Sequence, residues 1–567
     1  MNDVVTAVDG KRWNWGTSSA LLIALVMTMP MLVILLGRGT ATPVVWVRTA
    51  MAGFPQGPDD LSAVYTRTAH GDKLHGGLLV EGFDEESCHS RYKSAMYRRN
   101  PGRRPSEYLV SKLRRHEALQ RRCGPGTAAY ADALEQLRSG KNAGGASPPE
   151  CKYLVSLSYR GLGNRILAAA SAFLYALLTG RVLLVDPSND MDALFCEPFP
   201  NTSWLVPPSF PLWDRSFDLG TPERYGKMRE SGVLRPDVNV TSGGSTPAAA
   251  ADTLPAFAYV HLDYNQTDHD QLFFCDEDQR RLLSGFQWLV MRTDSYIVPG
   301  LFLVEAFRHE LDALFPERDA VFHHLGRYLF HPTNHVWGLV TRYHDAYLAG
   351  AARRVGIQVR VFPWEPESPE LLERITRCTQ EEGLLPRVLD TPEQQPAAVT
   401  TAAAAGRRGV KSSAAVVITS LKAWYYEQVK GMYWENAAAG GEVVAVSQPS
   451  HEEYQHYGVK SHEYKAWAEI YLLSLTDALV TTGKSTFGYV AQGLAGMRPW
   501  VLLLNQANGT AAGSNRPCSR DVSMEPCFHV APPYDCKKRG DSGKIVPHVR
   551  HCEDVPTGLK LVDRKEW

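Results

Sequence analysis

Neither sign of charge predominates in this 567-residue chain: 60 Lys and Arg stand against 61 Asp and Glu. Nothing in that balance points to a nucleic-acid partner, so a basic side chain of interest has to act locally. Cys-x-x-Cys spacing is absent among the ten cysteines, which removes zinc ribbons and thioredoxin-like redox motifs. Two nucleotide signatures are incomplete. Gly161-Leu-Gly163 opens like a dinucleotide turn, but Ile166 occupies the place of the third glycine. Gly483-Lys484-Ser485 ends like a phosphate loop, but Ala478 stands five residues before Gly483, where a glycine is required.

What is there begins with an address. Residues 13–37 carry no charge, 21–36 are almost wholly apolar, and Lys11, Arg12 and Arg38 flank the run. About 20 helical residues span a bilayer. The length of the run, with no small-x-small site ending it cleanly, favours a signal anchor over a cleaved signal peptide. The expected layout is a cytosolic tail (1–19), a transmembrane anchor (20–37) and a stem (38–71), with the rest lumenal. All ten cysteines lie beyond the anchor, and an even number there implies disulfides, with the cluster at 518–552 expected to staple a loop-rich end. Sequons at Asn201, Asn239, Asn265 and Asn508 fit the same compartment.

The length suits two α/β domains. Alternating or apolar runs predict strands from 153 to a break at 161, and at 181–186, 288–292, 355–362, 414–420, 442–447 and 478–482. Helical patterns lie at 109–119, 128–137, 166–178, 336–348, 466–474 and from 488. Small-residue stretches at 242–251 and 391–413 read as insertions. The first strand breaks at Gly161-Leu-Gly-Asn-Arg165 and runs into a helix. Such a bend offers backbone amides and a positive helix end at the carboxyl edge of a sheet, where α/β folds bind phosphorylated or hydroxyl-rich ligands. Asn164 adds an amide and Arg165 a guanidinium fork.

Arg360 sits in an alternating run whose neighbours Val359 and Val361 point to the opposite face. A guanidinium there can take charge developing on a leaving phosphate. Ser485-Thr486-Phe487-Gly488 follows a strand and opens a helix, a suitable cradle for a diphosphate. Asp294, at the end of the strand at 288–292, is the best-placed carboxylate to take a proton. His323 and His324 are second candidates, or loop supports. Tyr159, Trp288, Tyr296 and Trp337 are candidate sugar platforms, against a competing reading as core.

Several segments occur together in order: Gly161-Leu-Gly-Asn-Arg165, Phe195-Cys-Glu-Pro-Phe199, His323-His-Leu-Gly-Arg-Tyr-Leu-Phe330, Gly356-Ile-Gln-Val-Arg-Val-Phe362, Ser485-Thr-Phe-Gly-Tyr-Val-Ala-Gln-Gly493, Met524-Glu-Pro-Cys-Phe528 and Pro547-His-Val-Arg-His-Cys-Glu-Asp554. In this register the chain, from about residue 72 to about 562, resembles the plant xyloglucan-type galactoside 2-alpha-L-fucosyltransferases. The resemblance implies a GT-B-type α/β fold, with two Rossmann-like domains facing a cleft. It also implies GDP-fucose as donor substrate, inversion at the anomeric carbon, and no cofactor or required metal. On that reading 72–350 is the acceptor side and 351–567 the donor side. Arg360 and Asp294 would be catalytic, and Arg360, Ser485, Thr486, Phe487, Gly488, Asn164 and Arg165 would hold the donor. The expected acceptor is a galactosylated cell-wall polysaccharide, xyloglucan first, and the expected location a Golgi membrane, single-pass type II. A homodimer stays open. Lys484 stands where the family pattern has tryptophan. Two alternatives therefore remain: a fucosyltransferase acting on arabinogalactan-protein or pectin side chains, or a catalytically weakened protein that binds GDP-fucose or glycan.

Overall fold

The computed structural model describes residues 72–98, 102–140, 150–157, 159–236, 255–362, 364–389, 413–456, 458–502 and 516–563. The tail, anchor and stem, the sequons at Asn239 and Asn508, and nearly all of the two predicted insertions lie outside them.

Two mainly parallel sheets carry the body. The first holds β1 (Tyr153–Ser156), β2 (Val182–Val185), β3 (Phe257–Leu262) and β4 (Trp288–Thr293) in the order β2-β1-β4-β3. The second holds β5 (Arg353–Gln358), β6 (Ser413–Thr419), β7 (Val443–Ser447), β8 (Ala478–Thr482), β9 (Trp500–Leu502) and β10 (Ser519–Arg520) in the order β10-β9-β8-β5-β6-β7. Only β10, at the edge, runs antiparallel to its neighbour. A separate antiparallel hairpin pairs β11 (Val549–His551) with β12 (Leu559–Leu561).

Strand alternation assigns each face. In β1, Tyr153 and Val155 face an outer core shared with Val182, Leu184, Phe257, Tyr259, Trp288 and Val290, while Leu154 faces inward. In β6, Ala414, Val416 and Ile418 join a second outer core with Val355, Ile357 and Val480, while Ala415 and Val417 face inward. The inward residues of both sheets meet one central core. Four helices fill it: α1 (Leu162–Thr179), α2 (Val321–Leu329), α3 (Lys460–Leu473) and α4 (Thr486–Ala495). Burial on both faces is what made the strands legible as near-continuous apolar runs. α1 is apolar enough to suit a bilayer, but it is a core helix, mostly buried inside the protein.

α1 follows β1 and is closed by Gly180 in the left-handed conformation (φ 62°), whose N–H bonds to the Ala176 carbonyl. The boundary expected at 350/351 falls just before β5. β3 and α2 were not anticipated, and β5 ends at Gln358, so Arg360 lies two residues past the strand predicted to contain it.

The ten cysteines form five disulfides: 88–196, 123–151, 275–536, 378–518 and 527–552. The cluster at 518–552 is therefore not a self-contained staple. One bridge is internal to it, and Cys518 and Cys536 tie the carboxyl end back to the segments carrying Cys378 and Cys275.

Candidate active site

The carboxyl ends of the two sheets each present a polar cluster, and Asn164 connects them. On the first sheet, Asp294 follows β4 and Asp263 follows β3, both parallel strands in register. Asp263 is 1% exposed, accepts the Tyr264 N–H at 3.0 Å and lies 3.1 Å from Arg292 Nη2. The Arg292 guanidinium lies 3.8 Å over the Tyr159 ring. Asp294 has Arg160 Nε at 3.8 Å. Burial, then a shared hydrogen bond and like charge from Asp263, push the Asp294 carboxyl up to about 7, against a smaller pull from Arg160. The two carboxyls end adjacent parallel strands and form a pair.

On the second sheet, Arg360 is exposed beyond β5, and its backbone N–H donates to Thr482 Oγ1 at 2.8 Å. Gln358 Oε1 accepts from Thr481 Oγ1 at 2.9 Å beneath the turn into α4. The Ser485 hydroxyl is buried and caps α4 by accepting from the Gly488 amide at 3.5 Å. Gly488 has no room for a side chain, since a Cβ would sit 2.3 Å from Thr481 Oγ1. Lys484, just before, adopts φ 59° and donates its amide to Asp554 Oδ2 at 2.7 Å. The Tyr489 phenol also donates to Asp554, which leaves His529 Nε2, 3.1 Å away, as donor to the phenol oxygen. Burial holds His529 below its ordinary range against the pull of Asp554, with smaller help from the positive charge of Lys484 and Arg360.

The two clusters meet where α1 and α4 begin. A Cβ on Gly163 would lie 2.7 Å from Thr486 Oγ1 and 3.0 Å from the Phe487 amide, so glycine is what lets these helix starts approach. Asn164 Oδ1 accepts from Thr486 Oγ1 at 3.2 Å, and its Nδ2 donates to the Asp294 carbonyl at 2.7 Å. First-turn amides of both helices point out of their own ladders. Two positive helix ends therefore converge at Gly163 and Thr486, an arrangement suited to an anion.

A family model described as xyloglucan fucosyltransferase matches residues 56–537. The chain belongs to the xyloglucan fucosyltransferase family. It is 50% identical over 512 residues to a galactoside 2-alpha-L-fucosyltransferase of Pisum sativum, covering 89% of this chain and 84% of that protein. An Arabidopsis thaliana protein of the same name is 50% identical over 496 residues, covering 87% and 83%. The solved structure of a mutant of Arabidopsis thaliana FUT1 in complex with GDP superposes with TM-score 0.75 at 48% identity, covering 87% of this chain and all of that one. The fold is thus the GT-B-like α/β architecture of a fucosyltransferase.

Within this family member, several expected site residues lie elsewhere. Arg165 is not on the cleft. It is 2% exposed, pairs with Glu463 Oε2 at 2.6 Å and donates to the Asn189 carbonyl, so it fastens α1 to α3. His323 and His324 stand in α2 rather than a loop. Both are buried, which holds them far below the usual histidine range, and His323 Nδ1 lies 2.9 Å from the Gly493 carbonyl of α4. Trp288 stacks on Tyr153 in an outer core, Tyr296 donates to buried Glu525, and Trp337 packs between Tyr97 and Tyr471. Of the four aromatics, Tyr159 alone stands by the carboxyl pair. Phe487 packs partly into the central core.

Sequence reasoning missed Asp263, Tyr489, His529 and Asp554. Asp263 carried the signal that singled out Asp294, a carboxylate ending an alternating run. Asp554 and His529 had no local signal, because a disulfide between Cys527 and Cys552 brings their segments together. Cys527, Cys552 and Asp554 also form a cluster of metal-type ligands, but the two sulfurs are bonded to each other and one carboxylate is too few for a metal site.

Proposed function

We propose that this protein transfers L-fucose from GDP-fucose to O-2 of a terminal β-galactose on a plant cell-wall glycan, xyloglucan first. Supporting this are the names of its half-identical relatives and the GDP bound to the related solved structure. The observation that carries the reading is the convergence of two helix starts, one from the sheet that carries the Asp263–Asp294 pair and one from the sheet that carries Arg360, with Asn164 bonded to both sides.

In this arrangement the diphosphate rests on the first-turn amides of α4 and beside Arg360. As the bond from fucose C1 to the β-phosphate oxygen breaks, charge grows on that oxygen, and the guanidinium stabilises it more than it did the ground state. The galactose O-2 attacks C1 from the opposite face, giving inversion, and its proton passes to Asp294. A carboxylate titrating near 7 is well matched to that transfer. Residues 351–567 form the donor side, and 72–350 the acceptor side that receives the galactose. The apolar run at 20–37 would anchor the chain in a Golgi membrane with this body in the lumen, and five disulfides fit that oxidising compartment.

The test is GDP release and product mass with GDP-fucose and a galactosylated xyloglucan oligosaccharide, for wild type and Arg360→Ala. Wild type adds one fucose per terminal galactose, and the variant loses on the order of 10²–10³ in kcat with an unchanged far-UV spectrum. Full activity in Arg360→Ala would refute the phosphate role.

A further inference from the structure

Beyond Arg360 the chain does something that neither folding nor the donor site requires. Phe362 and Trp364 project from the loop after β5, with ring centroids 4.7 Å apart and planes within 8° of parallel. Trp364 is 77% exposed and Phe362 39%. Leaving an indole in water forgoes the burial that drives most tryptophans inward. Trp204, Trp288 and Trp467 of this chain are each under 2% exposed. Trp434 is exposed as well, but it stands near the end of a helix, with no ring stacked on it among the described residues.

Hydrogen bonds hold the residues on either side of the rings. The Phe362 N–H donates to Glu365 Oε2 at 2.7 Å, and the Glu365 N–H donates back to the Phe362 carbonyl at 3.0 Å. Downstream, the Ser368 N–H donates to the Tyr425 hydroxyl at 3.0 Å. Upstream, the Arg360 N–H is bonded to Thr482. The apolar surface so presented is open to a ligand. It is also continuous with the active site, since the Arg360 guanidinium lies 4.8 Å over the Phe362 ring.

We propose that Phe362 and Trp364 form an acceptor subsite on which a backbone sugar of the galactosylated polysaccharide stacks while its galactose reaches the Asp263–Asp294 pair. This rests on the acceptor reading above. A pyranose offers a face of C–H groups, and the negative face of an aromatic ring attracts the positive edges of such groups. The openness of the platform selects this occupant. A polymer passing across the cleft needs a surface without walls, whereas a nucleotide base needs partners around its hydrogen-bonding edge.

The experiment compares wild type, Trp364→Ala and Trp364→Phe. Calorimetry measures Kd for a galactosylated xyloglucan oligosaccharide in the presence of GDP. Steady-state assays give the ratio of kcat/KM for that oligosaccharide to kcat/KM for methyl β-galactoside, and the KM for GDP-fucose. Trp364→Ala weakens the oligosaccharide Kd about three- to tenfold and lowers the ratio equally, and Trp364→Phe recovers most of both. An unchanged Kd overturns the proposal. So does equal loss on the monosaccharide, or a rise in the GDP-fucose KM alone, which would place the ring on the donor. Wild type that binds the oligosaccharide but releases no GDP would defeat the reaction reading, while the Kd comparison still decides the platform.

Discussion

Replacing Arg165 by methionine separates a residue that binds donor from one that joins two halves of a protein. Its guanidinium and the Glu463 carboxylate are 1% and 4% exposed and 2.6 Å apart, on α1 under the first sheet and α3 under the second. Methionine fills similar space but strands a buried carboxylate. Removing one partner of such a pair costs about 3–5 kcal/mol, a large share of the ~5–15 kcal/mol that holds a typical native state together. Replacing both partners by apolar residues removes the stranded charge, so Arg165→Met with Glu463→Leu recovers much of the loss. The coupling in that double-mutant cycle is expected at about 2–3 kcal/mol. Urea unfolding followed by tryptophan fluorescence measures the stabilities, and steady-state assays of the folded variants measure the KM for GDP-fucose. The single variant shifts the urea midpoint strongly and moves that KM less than about threefold, given how weakly a well-folded site feels a remote change. Additive single effects would refute the pairing. A KM raised more than tenfold at unchanged stability would return Arg165 to the donor site.

Two further outcomes follow from the same geometry. Asp263→Asn removes a like charge whose hydrogen bond and repulsion help raise Asp294 towards about 7. Asp294 then loses its proton at lower pH, and the acid limb of kcat/KM moves down by about one unit, or ~1.4 kcal/mol; Arg160 and Arg292 are the cations facing the pair. A limb that stays or moves up refutes the pair. Replacing both Cys527 and Cys552 by serine releases the segments carrying His529 and Asp554. A 25-residue separation corresponds to about 3 kcal/mol of stability, and a loosened turn at Lys484 lowers kcat on the order of tenfold or more. Undiminished kcat in the variant lacking this disulfide would show that Asp554 needs no such clamp.

The sheets were legible because strands buried on two faces write long apolar runs, and residues 153–157, 414–420 and 478–482 did so. β3 escaped because its run, Phe257 to Leu262, follows a small-residue stretch that read only as an insertion. The site was legible where function and local pattern coincide. Asp294 and Asn164 sit at strand ends and helix starts, positions that announce themselves. Arg165 shows the limit of that reasoning. It stands one residue beyond Asn164 in the same motif, but one step of a helix turns a side chain by roughly 100°, enough to send the amide to the cleft and the guanidinium into the core. The paired histidines failed for a related reason. Ionisable groups in a short apolar segment suggest chemistry, whereas α2 packs one of them onto α4, and burial keeps both neutral.

Lys484 is where motif and structure bear on each other most directly. A lysine stands there in place of the family pattern's tryptophan, a change that could add a phosphate contact or a surface charge but cannot replace an indole's stacking area. The structure shows a different demand. The backbone there is left-handed, a conformation costing a non-glycine residue roughly 1–2 kcal/mol, and tryptophan would bear the same cost as lysine. The amide bond to Asp554 offsets it, since a hydrogen bond to a charged group contributes about 1.5–3 kcal/mol. Asp554 in turn is held by Tyr489 and by the disulfide two residues away. What the turn requires of residue 484 is its N–H and its φ, and lysine supplies both. Its exposed side chain leaves a second cation near His529, on the side of the cleft that carries Arg360. A cation favours an anionic ligand nearby, so lysine at this position is compatible with the donor site proposed for this turn.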